Sequence, residues 1–232
     1  MTPVPGFEST AYAYLRGRLV WAGEGAGTDH PRHSTKPWRA KKTTYDPQRL
    51  REGAFTCLGL FARGAPPLEG KGLLLWLTGH PMQFPFYAAA LRFDAVRAAL
   101  ERNDMAAFQA GALRVLGLGH GLTPSGDDLV GGIFFALAHA PRAAWSQDMG
   151  LAKAALRQAA QTSTNVISAA LLDDLMDGES YRDLHELLAA LQNTDAVEIT
   201  DAARQVLRIG ASSGADMLAG LLLALTSFPH KN

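Results

Sequence analysis

Hydrophobic and polar positions divide this 232-residue chain into two regions with different patterns. The first region contains short apolar runs with aromatic and β-branched members, separated by glycine and proline, which is typical of strands. These runs predict strands at 11–15, 18–22, 55–61 and 73–78. Residues 23–50 lie between the second and third runs. They carry several glycines and prolines but few apolar side chains, which predicts a long loop.

From residue 88 onward, apolar residues recur at helical spacing, and alanine and leucine dominate. We therefore expect an α+β fold, with a β-rich N-terminal part at 1–88 and a helical bundle at 89–232. Asp104 is the expected N-cap of the second helix of the bundle. The predicted helices are 88–102, 105–116, 125–140, 149–160, 165–177, 180–191, 197–208 and 214–227.

Two of these helices begin with the same motif. Ser-Gly-x-Asp-x-x-x-Gly starts at Ser125 and again at Ser213, and the two copies align without a gap. A helix start offers unpaired backbone amides and a positive dipole end, which together can hold a phosphate or a carboxylate. Serine capping and close helix packing at small residues would explain either copy alone. Recurrence of the same tetrad favours a ligand site.

The first copy follows a glycine-rich segment, Gly-Leu-Gly-His-Gly-Leu-Thr-Pro, at 117–124. Its glycines permit backbone conformations that other residues avoid. Elsewhere in the chain, Thr164 and Ser168 lie four residues apart on one helix face. Their hydroxyls can bond to carbonyls of the preceding turn or donate to an anion. The predicted ligand-binding residues are Gly119, Gly121, Thr123, Ser125, Gly126, Thr164, Ser168, Ser213, Gly214 and Asp216.

Charged and titratable residues within the motifs are the candidates for catalysis. His120 titrates near neutrality, which suits it to bind phosphate or transfer a proton. Asp127 and Asp128 are candidate catalytic carboxylates, but carboxylates repel an anion unless a cation bridges them to it. Either Mg²⁺ binds at Asp128 and Asp216, or these aspartates brace the loops by accepting backbone amides.

Composition narrows the class of protein. Lys plus Arg and Asp plus Glu both count 22, so no net charge favours nucleic acid or an acidic membrane. The single cysteine, Cys57, excludes an intrachain disulfide. The N-terminus shows no secretory signal pattern, and the apolar runs are too short to span a bilayer. We therefore expect a cytoplasmic protein that binds neither nucleic acid nor membranes.

The motifs together resemble a known family. The strings are Gly-x-Gly-x-Gly-Leu-Thr-Pro-Ser-Gly-Asp-Asp-x-x-x-Gly, then Thr-x-x-x-Ser-x-x-x-Leu-x-x-x-x-x-Gly, then Gly-x-Ser-Ser-Gly-x-Asp-x-Leu-x-Gly. Over residues 111–225 they are similar to the AllH-like family, which is associated with a subunit of oxamate carbamoyltransferase. The resemblance implies a role in purine-derived nitrogen catabolism beside two other subunits. In that reaction oxalurate and phosphate yield oxamate and carbamoyl phosphate.

Motifs and resemblance together favour a carbamoyltransferase-type subunit. It would bind a small anionic substrate, carbamoyl phosphate, oxalurate or phosphate, at the glycine-rich helix starts. Two alternatives stay open at this stage. The chain is either a non-catalytic assembly subunit, whose glycines serve helix packing, or a Mg²⁺-dependent phosphotransfer enzyme that uses the same loop.

Overall fold

The computed structural model describes residues 43–64, 71–82 and 86–227, together with the backbone of three short strands. The chain forms two compact units, Met1–Arg39 and Ala40–Asn232. In the first unit, three short strands pair antiparallel in the order of the sequence. These strands are β1 Thr2–Pro3, β2 Tyr12–Leu15 and β3 Arg18–Trp21.

The second unit is helical. Four of its helices begin at an aspartate or asparagine whose side chain accepts amides of the first turn. These caps are Asp46, Asp104, Asn165 and Asp195. Short 3₁₀ turns lie at Phe86–Ala89 and Ala143–Trp145. The α-helices are α1 Pro47–Ala62, α2 Gly72–Leu77, α3 Ala90–Glu101, α4 Met105–Val115, α5 Ser125–His139, α6 Met149–Ser163, α7 Val166–Met176, α8 Arg182–Asn193, α9 Ala196–Val206 and α10 Ser213–Thr226.

The expected α+β fold with a β-rich part at 1–88 is wrong, because the described strands end at Trp21. From residue 43 onward, 74% of the described residues are helical and none lies in a strand. The segments 55–61 and 73–78, predicted as strands, belong to α1 and α2. The predicted loop 23–50 reaches into α1, which begins at Pro47; residues 23–42 of that loop lie outside the described residues.

The physical reason is visible in α1. Leu50, Ala54, Cys57 and Phe61 are spaced at four, three and four residues, and all four are completely buried. They form the apolar stripe of a helix that starts at its Asp46 cap. A short apolar run with aromatic members fits a strand equally well when only seven residues are considered. The prediction of an α+β fold was therefore wrong because the apolar runs considered were too short to tell a strand from a helix. The hydrophobic character of these segments was not the source of the error.

The two motif helices, α5 and α10, form the centre of the helical unit. Nearly every residue of both is buried, so each helix is covered on all sides. A Cβ on Gly132 would lie 2.1 Å from the Met217 carbonyl oxygen, and one on Gly220 would lie 2.0 Å from the Leu129 carbonyl oxygen. The later glycine of each motif therefore lets the backbone of one central helix touch the other. This part of the repeat serves helix packing.

The repeat extends to the helices that precede α5 and α10. A Cβ on Gly126 would lie 1.8 Å from the Val115 carbonyl oxygen at the end of α4. A Cβ on Gly214 would lie 1.8 Å from the Val206 carbonyl oxygen at the end of α9. The pairs α4–α5 and α9–α10 are thus two copies of one helix–turn–helix unit. Their reciprocal contacts are those of a two-fold related pair.

Candidate functional site

Two buried aspartates stand at equivalent positions of the repeat, in the first turns of α5 and α10. Asp128 is 4% exposed and Asp216 is fully buried. They lie close enough for the charge of Asp216 to raise the pKa of Asp128. Within the described part of the chain, the Oδ2 atom of each carboxyl group has no hydrogen-bond partner. Buried polar atoms normally find partners, so these two oxygens mark a candidate binding site.

Hydroxyl groups surround the two carboxyls in a crossed arrangement. Ser125 of the first copy hydrogen bonds to Asp216 of the second, and Ser213 of the second hydrogen bonds to Asp128 of the first. Thr123 also hydrogen bonds to Asp128, and its Oγ1 lies 2.6 Å from the Ser213 Oγ. These five residues are called the carboxyl–hydroxyl cluster below. It joins the starts of α5 and α10 into one polar centre.

A third element, α2, reaches the same cluster. The backbone amide of Leu73 donates to Asp216 Oδ1 over 2.6 Å. Gly72 has φ of +44°, and a Cβ there would lie 2.1 Å from Asp216 Oδ1, so the close approach requires glycine. Lys71, the residue before α2, donates from Nζ to the Leu207 carbonyl over 3.3 Å. The sequence analysis missed this contribution of α2 to the site because it assigned residues 73–78 to a strand.

Burial controls the ionisation of both carboxyls. It raises the pKa of Asp128 well above its usual range, the charge of Asp216 raises it further, and hydrogen bonds from Thr123 and Ser213 oppose the shift. Burial also raises the pKa of Asp216 to about 6, against hydrogen bonds from the Leu73 amide and nearby serine hydroxyls. Of the two carboxyls, Asp128 is therefore the one that its surroundings hold more strongly toward the protonated form.

Asp127 has a different environment from its neighbour Asp128. Its Oδ1 accepts the Gly117 amide over 2.7 Å, and its Oδ2 accepts the hydroxyls of Thr164 and Ser168. The carboxyl group is 2% exposed, and these three bonds use both of its oxygens. Asp127 thus braces the turn before α5 against the junction of α6 and α7.

The hydroxyls of Thr164 and Ser168 accordingly take neither of the two expected roles. Both donate to Asp127, instead of to the preceding turn or to an open anion site. Thr164 is the C-cap of α6, and Asn165 caps the start of α7 by accepting the amides of Ile167 and Ser168. Only Ser168 lies within a helix, so the two hydroxyls share a partner and not a helix face.

Several backbone amides at the two helix starts already have partners. The Gly126 amide donates to the Leu118 carbonyl over 2.8 Å, and the Gly214 amide donates to the Ile209 carbonyl over 3.0 Å. The Asp128 amide donates to Pro124 within the first turn of α5. A ligand that used these amides would have to displace an existing bond. Hydroxyl and carboxyl groups, and not these amides, are therefore the polar atoms that remain available to a ligand.

The glycine-rich turn before α5 lies at the surface side of the cluster. Gly119 and Gly121 have φ of +128° and +96°, which favour glycine, and a Cβ on Gly119 would lie 2.6 Å from the Ser125 amide nitrogen. His120, between them, is exposed. Thr123 and Ser213 are half-buried and lie between solvent and the two carboxyls.

A metal site at Asp128 and Asp216 stays a prediction. In the described ranges, no group of three or more His, Cys, Asp or Glu side chains is arranged to hold a metal ion. Two carboxylates with phosphate oxygens and water can suffice for Mg²⁺. The positive ends of α5 and α10 act against a cation at this point.

Comparison with known proteins identifies one matching family. The model of the family described as oxamate carbamoyltransferase subunit AllH matches residues 115–225. The match begins at the last residue of α4 and ends in the last turn of α10, so it covers the whole carboxyl–hydroxyl cluster. No solved structure matches the chain. Along the described part of the chain, none of the helices has the length and apolar character needed to cross a membrane.

Proposed function

We propose, since residues 115–225 belong to the AllH-like family, that this chain is a subunit of an oxamate carbamoyltransferase-type enzyme and binds a small ligand at the carboxyl–hydroxyl cluster. The family description is that of a subunit, so other subunits belong to the complete enzyme. The candidate ligands are carbamoyl phosphate, oxalurate and phosphate. They are small anions, which helix N-termini favour.

The observation that carries the proposal is the pair of unpartnered carboxyl oxygens on Asp128 and Asp216. Leaving one buried polar atom without a hydrogen bond costs about 1–3 kcal/mol. The same cost occurs at both equivalent positions of the repeat, although packing alone would be satisfied by apolar side chains. A ligand that pairs with both oxygens would offset this cost, which supports a binding role over a purely structural one.

The hydroxyl groups of Thr123, Ser125 and Ser213 are suited to the anionic end of such a ligand. Hydroxyls can donate to phosphate or carboxylate oxygens, and the positive ends of α5 and α10 favour negative charge nearby. Thr123 and Ser213 are half-buried, so a ligand can reach them from solvent. His120 is exposed on the preceding turn, and its proposed role is to stabilise charge or transfer a proton.

Ligand binding by the full chain tests this proposal. Thermal unfolding is measured with phosphate, carbamoyl phosphate, oxalurate, oxamate and ATP, each with and without Mg²⁺. A ligand at 100 times its dissociation constant stabilises the folded protein by about 2.7 kcal/mol. We expect carbamoyl phosphate or oxalurate to stabilise the protein, and Ser213→Ala or Thr123→Val to weaken that binding by about tenfold.

Ser146→Ala is the matched control, because Ser146 is an exposed serine that bonds only to the nearby Ala143 carbonyl. It should leave ligand binding unchanged. If none of the ligands stabilises the folded wild-type chain, the proposed site is refuted. The result would then favour the alternative that the chain is a non-catalytic assembly subunit. Stabilisation by ATP only with Mg²⁺ would instead indicate a phosphotransfer enzyme.

A further inference from the structure

The two carboxyl groups of the cluster are equivalent in the repeat but differ in their surroundings. Asp216 accepts a backbone amide from Leu73 of α2, which stabilises a carboxylate. Asp128 receives no backbone amide among the bonds of the described residues and meets only hydroxyls, Thr123 and Ser213. The helix α2 therefore breaks the two-fold relationship and singles out Asp216 as the ionised member of the pair.

Charge balance supports one proton on this pair. Among the described residues, the ion pairs involve Arg157, Arg182 and Arg204, and none of them reaches Asp128 or Asp216. Two helix N-termini supply a positive potential of about half a unit charge each. The charge of Asp127, in the same turn, also acts on Asp128, so a second charge on the Asp128–Asp216 pair would be left without compensation. One proton shared by the two carboxyl groups removes the uncompensated charge, so that no bound cation is needed.

A carboxylic acid beside a carboxylate presents one donor and one acceptor to whatever binds between them. A primary amide, –C(=O)NH₂, presents the complementary set, because its carbonyl accepts and its NH₂ donates. We propose that the unpartnered oxygens of Asp128 and Asp216 bind the primary amide of a carbamoyl-bearing ligand, with Asp128 donating to the carbonyl oxygen and Asp216 accepting from the NH₂ group. This inference rests on the proposed function, since it assigns one end of the same ligand.

The arrangement explains how the site tells an amide from a carboxylate of the same shape. A carboxylate in the place of the amide would set a negative oxygen against ionised Asp216. Sites built to hydrogen bond a substrate NH reject an analogue that lacks it by large factors, because buried groups are then left unpaired. A Mg²⁺ site would have the opposite preference, since carboxylate oxygens are better ligands for Mg²⁺ than an amide.

Oxamate and oxalate are the matched probes, because they differ only in an amide against a carboxylate. Their binding to the full chain is measured by calorimetry at pH 7, with Mg²⁺ and with a chelator. We expect oxamate to bind at least tenfold more tightly than oxalate, with no effect of Mg²⁺. Equal binding, or tighter oxalate binding that requires Mg²⁺, overturns the amide inference and leaves the proposed site standing.

Asp216→Asn makes the test sharper. In this variant the side-chain carbonyl oxygen of residue 216 must still accept the Leu73 amide. The new NH₂ group therefore takes the place of Oδ2 and points toward the ligand. The acceptor at Oδ2 becomes a donor, so the preference for oxamate over oxalate should fall by at least tenfold or reverse. Asp128→Asn keeps a donor beside ionised Asp216 and should retain the oxamate preference. An unchanged preference in Asp216→Asn contradicts the inference.

A measurement that needs no ligand distinguishes failure of the one-proton pair from failure of the ligand site. Infrared spectroscopy of the folded protein at pH 7 should show a carbonyl stretch from a buried protonated carboxyl group that disappears in Asp128→Asn. Asp201→Asn, at an exposed aspartate paired with Arg204, is the control. Absence of the band overturns the one-proton pair. If the band is present but neither oxamate, carbamoyl phosphate nor phosphate binds, the ligand site itself fails, and the amide inference fails with it.

Discussion

The hydroxyl group of Ser125 hydrogen bonds to the carboxyl group of Asp216, which stands in the other copy of the repeat. The reciprocal bond joins Ser213 to Asp128. The serine of each Ser-Gly-x-Asp motif therefore pairs with the aspartate of the other copy, while Thr123 and Ser212 add a hydroxyl from the aspartate's own side of the repeat. This crossing explains why both copies carry the same tetrad: serine and aspartate are partners between the copies, while the glycines allow the backbones to approach.

Removing the Ser125 hydroxyl should raise the pKa of Asp216 further above about 6. The reason is that this hydroxyl bonds to the carboxyl group and favours its ionised form. We expect Ser125→Ala to show this change in a carboxyl-detected NMR titration of the folded protein. Ser146→Ala, at an exposed serine, should not change the titration of Asp216. An Asp216 titration unaffected by Ser125→Ala would mean that the crossed bond contributes nothing to its ionisation.

The helical part of the fold was predictable because its signals are local and long. The helices after residue 88 follow from apolar periodicity, and Asp104 caps α4 as expected. The segments that form α1 and α2 were wrongly predicted as strands for the opposite reason. Their apolar runs are short, and they lie among glycines and prolines, which also flank strands. A helical stripe becomes evident in α1 only when Leu50 and Phe61 are considered together.

The candidate site was predictable only in part. The repeated tetrad identified Ser125, Asp128, Ser213 and Asp216, because a repeat can be recognised from the amino-acid sequence alone. The contact of Leu73 with Asp216 joins residues 143 positions apart, and no local pattern contains it. Sequence also could not separate Asp127 from its neighbour, although adjacent residues point to different sides of a helix.

The glycine at the end of each motif predicts a packing effect. Gly132→Ala or Gly220→Ala would place a Cβ about 2 Å from a backbone carbonyl of the opposite central helix. Backbone atoms of two buried helices cannot move apart without loss of packing on all sides. We expect each substitution to lower the free energy of unfolding by about 1–3 kcal/mol or more, measured by urea denaturation.

Gly150→Ala provides the control for this experiment. Gly150 lies in the first turn of α6, and a Cβ there would meet nothing within 4 Å. Alanine is preferred over glycine in helices, so this substitution should be neutral or stabilise the protein by up to about 1 kcal/mol. A loss for Gly150→Ala as large as that for Gly132→Ala would argue against backbone contact as the cause.

Asp127 should affect stability much more than an exposed aspartate does. Asp127→Ala removes the acceptor of three hydrogen bonds and leaves the Gly117 amide, Thr164 and Ser168 hydroxyls without their partner. We expect a loss of about 3–5 kcal/mol in the free energy of unfolding. Asp201→Asn, at a surface pair, should cost less than about 1 kcal/mol. Similar losses in the two variants would contradict the bracing role of Asp127.

Arg142 should be a second strong determinant of stability. Its guanidinium group is buried and donates to the carbonyls of Leu100 and Ala224, joining the ends of α3 and α10, while burial lowers its pKa to about 10. Arg142→Met keeps an apolar chain of similar length but leaves these carbonyls without their donor. We expect a loss of about 2–4 kcal/mol in thermal or urea unfolding. Arg182→Met, at an exposed helix pair, should be nearly neutral.

Two buried groups should give opposite pH dependences of stability. Burial and the charge of His139, whose ring centroid lies 5.5 Å away, lower the pKa of His185 to about 4. The unfolded chain takes up this proton below pH 6.5, so His185 contributes stability above pH 6.5 that is lost as the pH falls toward 4. Asp216 has a pKa raised to about 6, so its contribution is present below pH 3.8 and is lost as the pH rises through 6.

Variants that cannot titrate should separate the two effects. Between pH 7 and 4.5, His185→Gln should lose less stability than the wild type, by up to about 3 kcal/mol. Asp216→Asn should lose more, because the gain from protonating Asp216 is absent. Urea unfolding at pH 7, 6, 5 and 4.5 measures both differences, with His80→Gln, at an exposed histidine, as the control. Parallel pH profiles for the wild type and His185→Gln would show that His185 is not held neutral by the fold.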